Sequence, residues 1–74
     1  MKAMPKFPAL TPREVVRILE RGGFTFVRQK GSHRMYVKGH LRVTVAYHNA
    51  PLKRRTLKHI IKQSGLDLKD FLAQ

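Results

Sequence analysis

Histidine is the residue type with which this sequence could do acid–base chemistry, because an imidazole exchanges protons near neutral pH. The chain has 74 residues and no cysteine, which excludes disulfides, thiolate nucleophiles and cysteine-ligated zinc. The four candidates are His33, His40, His48 and His59. Which of them could act depends on the groups that surround it.

The carboxylates are too few and too scattered for most hydrolytic mechanisms. All four fall in predicted helices or at their caps: Glu14, Glu20, Asp67 and Asp70. A two-metal nuclease needs clustered carboxylates, a glycosidase needs a facing pair, and a catalytic triad needs an acid beside its histidine. A zinc site built from His33, His40 and His48 is conceivable, but their spacing matches no common metal pattern. We therefore expect no metal and no other cofactor.

Positive charge dominates the composition. The chain has 16 Lys and Arg against 4 Asp and Glu, a formal net charge of +12. This imbalance in a small domain is typical of proteins that bind nucleic acid, with an anionic membrane surface as the runner-up. No apolar run approaches the roughly 20 residues of a spanning helix, and no signal-peptide pattern opens the chain. We expect a cytoplasmic protein with no membrane partner and no small-molecule substrate.

RNA cleavage is a reaction that such a chain could perform without metal. RNA carries its own nucleophile, the 2′-hydroxyl, so the protein needs only to move a proton and to stabilise a charged phosphorane. Residues 28–34 surround His33 with three cations, a glycine that permits close backbone approach and a hydroxyl donor: Arg28, Lys30, Arg34, Gly31 and Ser32. The same residues also fit a plain hairpin turn with solvated basic side chains, because Lys-Gly-Ser is ordinary turn chemistry.

The other histidines are weaker candidates for proton transfer. His48 is a possible second proton-transfer group, although it also suits a backbone contact where a strand ends. His40 falls in a predicted turn and His59 on the flank of a predicted helix. We interpret these two as solvated or structural.

A capped helix opens the predicted domain, which we place at residues 11–74. Residues 1–10 show no hydrophobic period and predict an extended arm, pinned to the core by Phe7 or Leu10. The helix has a capping box at its start and a glycine pair at its end: Thr11, Pro12 and Glu14, then Gly22-Gly23.

Three short strands follow, because the hydrophobic period changes to two at Phe24 and Phe26. We predict strands over 24–29, 33–38 and 41–47, with tight turns at Lys30-Gly31-Ser32 and Gly39-His40. A helix over 52–64 stops at Gly65, and a final helical turn after Asp67 docks Phe71 and Leu72. The order α-β-β-β-α predicts a two-layer α+β domain, with the helices on one face of a three-stranded antiparallel sheet, as in double-stranded-RNA-binding domains.

The second long helix carries a stripe of cations. Arg55, Lys58 and Lys62 recur at the i, i+3, i+7 spacing of one helix face, and Lys53 and Arg54 lie at its entry. Because the helix contains no acidic residue, we predict that the stripe contacts phosphates, with a merely solvated face as the alternative.

Several segments resemble the HicA family of toxin–antitoxin systems, also called YcfA-like. The most specific is Val27-Arg28-Gln29-Lys30-Gly31-Ser32-His33. Residues 14–24 are similar to the family's first helix and its exit, and Val43-Thr44-Val45 with His48 to its third strand. Residues 56–66 with Phe71-Leu72 resemble its closing helices, so the likeness spans nearly the whole chain.

The resemblance implies an activity and two partners. It implies an endoribonuclease that cleaves mRNA independently of the ribosome, with His33 as the catalytic histidine. It also implies a HicB-like antitoxin that covers the site. A non-catalytic, basic RNA-binding module of the same fold is the alternative.

Overall fold

The computed structural model describes residues 8–72, and its elements occur in the predicted order. They are α1 (Pro12–Arg21), β1 (Thr25–Lys30), β2 (His33–Lys38), β3 (Leu41–Ala46), α2 (Arg54–Ser64) and α3 (Leu68–Leu72). The strands form one antiparallel sheet in the order β1-β2-β3. The predicted α+β class is therefore confirmed.

Local chemistry sets both ends of α1. The predicted capping box is present: the Glu14 amide donates to Thr11 Oγ1 at 3.2 Å, and the Thr11 amide donates to Glu14 Oε1 at 2.9 Å. The bonds from the Thr11 backbone and side chain hold the pKa of Glu14 below its ordinary value. At the other end Gly23 has a φ of 99°, and the Phe24 amide donates to the Leu19 carbonyl at 2.9 Å. This is a Schellman end, which needs the left-handed conformation that glycine adopts without strain.

Two short loops join the strands where turns were predicted, although Lys30 belongs to β1 and the first loop has two residues rather than three. Lys30 pairs with His33 and Lys38 pairs with Leu41, so each loop has two residues. A positive φ at the first loop residue alone is typical of a type II′ turn, whose twist suits a hairpin. One irregularity was not predicted, a bulge in β1 at Val27.

The helices cover one face of the sheet. Their apolar side chains form a core with the inward residues of the strands: Leu10, Val15, Val16, Ile18, Leu19, Phe24, Tyr36, Val43, Val45, Leu52, Leu57, Ile60 and Phe71. The predicted anchoring of Leu10 is confirmed, and Phe7 lies outside the described residues. Phe71 docks as predicted, but Leu72 is exposed, so that part of the prediction is wrong.

Helix α2 begins two residues later than predicted. Leu52 is buried in the core, and its amide donates to the Leu10 carbonyl at 2.8 Å. That bond holds residue 52 outside the helix, and Lys53 becomes the cap without a side-chain hydrogen bond. Within residues 8–72 no helix is both long and apolar enough to cross a membrane.

Within residues 8–72, the helices do not cover the opposite face of the sheet. Because side chains alternate along a strand, His33, Met35 and Val37 point away from the face that buries Tyr36. Their neighbours across the sheet include Arg28 and Thr44. We call this surface the open face.

Candidate active site

His33 is the first residue of β2, and its side chain is exposed on the open face. It pairs with Lys30 on one side and with Ala46 on the other. It lines a concavity of about 670 Å³ together with Arg28, Lys30, Gly31, Met35 and Thr44. The imidazole is therefore accessible to a polymer, with two cations beside it.

The turn that precedes His33 is held at both of its carbonyls. The Gln29 side-chain amide donates to the Gly31 carbonyl at 2.8 Å. The Tyr47 backbone amide donates to the Ser32 carbonyl at 2.6 Å. Because these donors come from β1 and from the chain after β3, the turn is tied to both neighbours of β2.

Gly31 is required at this turn by its conformation. Its φ is 59°, which L side chains rarely adopt, while a Cβ atom there would meet nothing within 4 Å. The empty space around Gly31 also leaves the backbone open to close approach by a phosphate. The exposed Ser32 hydroxyl lies next to it in the chain.

Arg34 does not lie beside His33, contrary to the expectation that three cations surround that histidine. Consecutive residues of a strand point to opposite faces, and Arg34 points to the helix side. Its Nε donates to Gln29 Oε1 at 2.9 Å. Its guanidinium lies 3.6 Å from the centre of the Tyr47 ring, a cation–π contact. Arg28 and Lys30 are the cations of the predicted run that line the concavity of His33.

The helix-side surface around Arg34 is a second concavity, which sequence reasoning missed. This α1–β1 groove has a volume of about 490 Å³. Helix α1 and the sheet side both line it: Arg13, Val16, Arg17 and Glu20, then Phe26, Gln29, Arg34, Tyr36 and Tyr47. Burial raises the pKa of Tyr36, and a hydrogen bond from Arg34 opposes that effect.

Phe26 is the unusual residue of the groove. It pairs with Tyr36 across the sheet, and the two rings meet edge to face with centres 5.7 Å apart. Tyr36 is buried, yet Phe26 is 52% exposed. Period-two spacing indicates the face that Phe26 occupies, but no local signal shows that the helices leave it uncovered.

The cations of α2 lie apart from His33. Leu57 and Ile60 bury one side of this helix against β3, on the helix side of the sheet. The predicted RNA-binding residues on its other side are exposed: Lys53, Arg54, Arg55, Lys58 and Lys62. The structure therefore does not bring this stripe to the open face.

The remaining histidines do not line the concavity of His33. His48 is exposed and lies with Thr11, Arg13 and Asn49 near the start of α1. His40 occupies the second hairpin turn, and His59 is exposed on α2. Among residues 8–72 no group of three His, Cys, Asp or Glu side chains is placed to hold a metal ion.

The fold and the site define a small, basic α+β domain with an accessible histidine at a glycine hairpin. A family model described as the HicA toxin of bacterial toxin–antitoxin systems matches residues 12–66. The match covers α1, the sheet and α2, so the chain belongs to the HicA toxin family. Membership of a toxin–antitoxin family implies an antitoxin partner. A comparison with curated proteins gave no match.

Proposed function

We propose that this HicA-family protein is the toxin of a type II system and an endoribonuclease that cleaves mRNA independently of the ribosome. The observation that carries the proposal is the placement of His33. Its exposed imidazole shares an open concavity with Arg28 and Lys30, next to a turn fixed at both carbonyls. These are the groups that metal-independent cleavage of RNA requires.

In the proposed reaction, the 2′-oxygen of the substrate bonds to the adjacent phosphorus, and the bond from phosphorus to the 5′-oxygen breaks. The products are a 2′,3′-cyclic phosphate and a free 5′-hydroxyl. His33 moves one of the two protons, either from the 2′-hydroxyl or to the leaving oxygen, and solvent water exchanges the other. Arg28 and Lys30 stabilise the charge that develops on the phosphorane oxygens. The Ser32 hydroxyl donates to a phosphate oxygen.

Binding of the polymer draws on more of the surface than the site of cleavage. The α2 stripe lies on the helix side, so its cations contact phosphates away from the cleaved linkage. The net charge of +12 attracts RNA over a longer range. The cytoplasm, where mRNA is translated, is the proposed place of action.

The antitoxin in this proposal is a HicB-like protein that covers the open face. An acidic surface on the antitoxin would complement Arg28 and Lys30, and its contact would complete the burial of the half-buried Met35 and Val37. Histidine modification by diethyl pyrocarbonate measures this. We expect His33 to lose reactivity in the complex, whereas a His33 that stays reactive and accessible to RNA contradicts occlusion.

The test of the activity compares wild type with His33→Ala and His40→Ala on one RNA and on DNA of the same sequence. Both histidines are exposed and lie at the hairpin turns, which makes His40 a matched control. We expect His33→Ala to lower the cleavage rate by about 10²- to 10⁴-fold while RNA affinity persists. His40→Ala should cleave normally, and DNA should resist because it lacks the 2′-hydroxyl.

Three results would overturn parts of this proposal. If wild type binds RNA without cutting it, the protein is a non-catalytic RNA-binding module. Loss of cleavage in a chelator contradicts the metal-independent mechanism. Equal cleavage by wild type and by a folded His33→Ala variant removes His33 from the reaction.

A further inference from the structure

Aromatic rings are distributed unequally between the two sides of the sheet. Within residues 8–72, Phe24, Tyr36 and Phe71 are buried in the core. The exposed ring is Phe26, and Tyr47 is half-buried. Both line the α1–β1 groove, whereas the concavity of His33 contains no Phe or Tyr among its lining residues. Among residues 8–72, the groove is therefore where an exposed aromatic ring is available for a nucleobase to stack on.

The charge of the groove suits the same ligand. Arg13, Arg17 and Arg34 line it against a single acid, Glu20. Aromatic rings combined with guanidinium groups are the means by which proteins bind single-stranded nucleic acid, since bases stack on both and phosphates pair with the cations. Protein interfaces are enriched in the same residue types, so a protein partner is the competing occupant, and the position of the groove beside the proposed cleavage site favours RNA.

The groove is also close to the proposed cleavage site along the chain. His33 and Arg34 are consecutive residues of β2 whose side chains point to opposite faces. Gln29 and Lys30 stand in the same relation on β1. The end of the β1–β2 hairpin thus separates the two concavities, and a flexible single strand can bend around it.

We propose that the α1–β1 groove is a nucleobase subsite for single-stranded RNA. It takes the base of a nucleotide that flanks the linkage held at His33, and Phe26 is its stacking platform. The inference rests on the proposed RNA-cleaving function and adds a requirement to it. The flanking base must be unpaired, because a base inside a duplex cannot reach a ring on the other side of the sheet.

The experiment measures RNA affinity in the non-cleaving His33→Ala background. Phe26→Ala removes the stacking ring, and Val27→Ala is its control. Val27 is the next residue, is 49% exposed against 52% for Phe26, and does not line the groove. We expect Phe26→Ala to weaken binding of a short single-stranded RNA by about tenfold, the scale of losing one base–aromatic stacking contact. Val27→Ala should bind like the parent, and Phe26→Tyr should restore affinity.

A second measurement removes the base instead of the ring. With an RNA that carries abasic positions, the parent and Phe26→Ala should bind equally, because the contact is already missing on the ligand side. A 2-aminopurine base placed next to the cleaved linkage should be quenched by the parent and not by Phe26→Ala. In a separate cleavage assay, wild type should cut duplex RNA more slowly than single-stranded RNA.

The outcomes separate this inference from the proposed function. If wild type neither binds nor cuts RNA, both are wrong. If wild type cuts RNA but Phe26→Ala and Val27→Ala bind alike, only the subsite is wrong. A Phe26→Ala variant that binds RNA normally but no longer binds the antitoxin would make the groove a protein contact and would also overturn the subsite.

Discussion

The β1–β2 and β2–β3 hairpins share a backbone plan and differ in what holds them. Each has a lysine followed by a glycine at φ 59°, and each carries an exposed histidine, His33 in one and His40 in the other. The first turn accepts hydrogen bonds at both of its carbonyls. No comparable brace is found for the second turn in the part of the chain from 8 to 72. A histidine beside a glycine turn is therefore common to both hairpins. The hydrogen bonds to the turn carbonyls and the neighbouring cations distinguish the β1–β2 hairpin.

Within this comparison of the hairpins, the largest effect is expected from replacing the lysine that precedes each glycine. Lys30→Ala removes a cation from the concavity of His33, and we expect cleavage to fall by about 10²-fold, the usual scale for losing one electrostatic contact to the transition state. Lys38→Ala changes the equivalent lysine of the other hairpin and should leave the rate unchanged. Single-turnover cleavage measures both, and equal losses would remove the distinction between the hairpins.

Charge reversal on α2 separates binding from chemistry. Lys58→Glu with Lys62→Glu should weaken RNA binding and flatten the dependence of log affinity on log salt by about one unit or more. The rate at saturating RNA should stay the same, because these residues lie outside the β1–β2 hairpin. An unchanged salt slope would show that the stripe is only a solvated face, and a lower saturated rate would show that α2 contributes to the chemistry.

The two glycines form a matched pair for stability. Gly31 and Gly39 share a φ of 59° and have open space where a Cβ would lie. We expect Gly31→Ala and Gly39→Ala each to lower the free energy of unfolding by about 1–2 kcal/mol, the cost of the left-handed conformation for an L side chain. Cleavage should fall only for Gly31→Ala. Urea unfolding and cleavage assays on the two variants test this, and parallel losses of activity would contradict it.

The smallest expected effect is that of the side-chain brace. Gln29→Ala deletes the bond to the Gly31 carbonyl and the bond from Arg34 Nε, each worth about 1 kcal/mol, and should reduce cleavage by a few-fold as the turn loosens. Thr25→Ala is the control, because Thr25 Oγ1 also bonds a carbonyl of β2, that of Val37, but far from the turn. If both variants cleave like wild type, the brace does not position His33.

Much of the fold follows from local chemistry in the sequence. The Thr11–Glu14 capping box and the glycine turns depend on neighbours within a few residues, so they were predicted at the right positions. The start of α2 was not, because the Leu52 amide is bound by the carbonyl of Leu10, far away in the sequence. Such a contact exists only once the chain has folded.

The candidate site was predicted in part. The residue types made His33 and its turn a candidate, with a plain hairpin as the alternative, and the family resemblance singled out His33. Arg34 was assigned to the wrong surroundings. Because side chains alternate along a strand, consecutive residues such as His33 and Arg34 face opposite sides of the sheet, although they are adjacent in the sequence. The α1–β1 groove could not be predicted, because it depends on how far α1 extends over β1 and on the exposure of Phe26.

The unpaired Val27 also affects how the molecule behaves at high concentration. β1 is an edge strand, and a regular edge offers free backbone groups on which another molecule can add a strand. A bulge interrupts that ladder and increases the local twist, so a straight incoming strand fits poorly. With Arg28 and Lys30 on the same strand, a second positively charged copy is repelled as well. The feature therefore disfavours self-association through this edge while leaving the histidine-bearing end of the hairpin accessible to an anionic polymer.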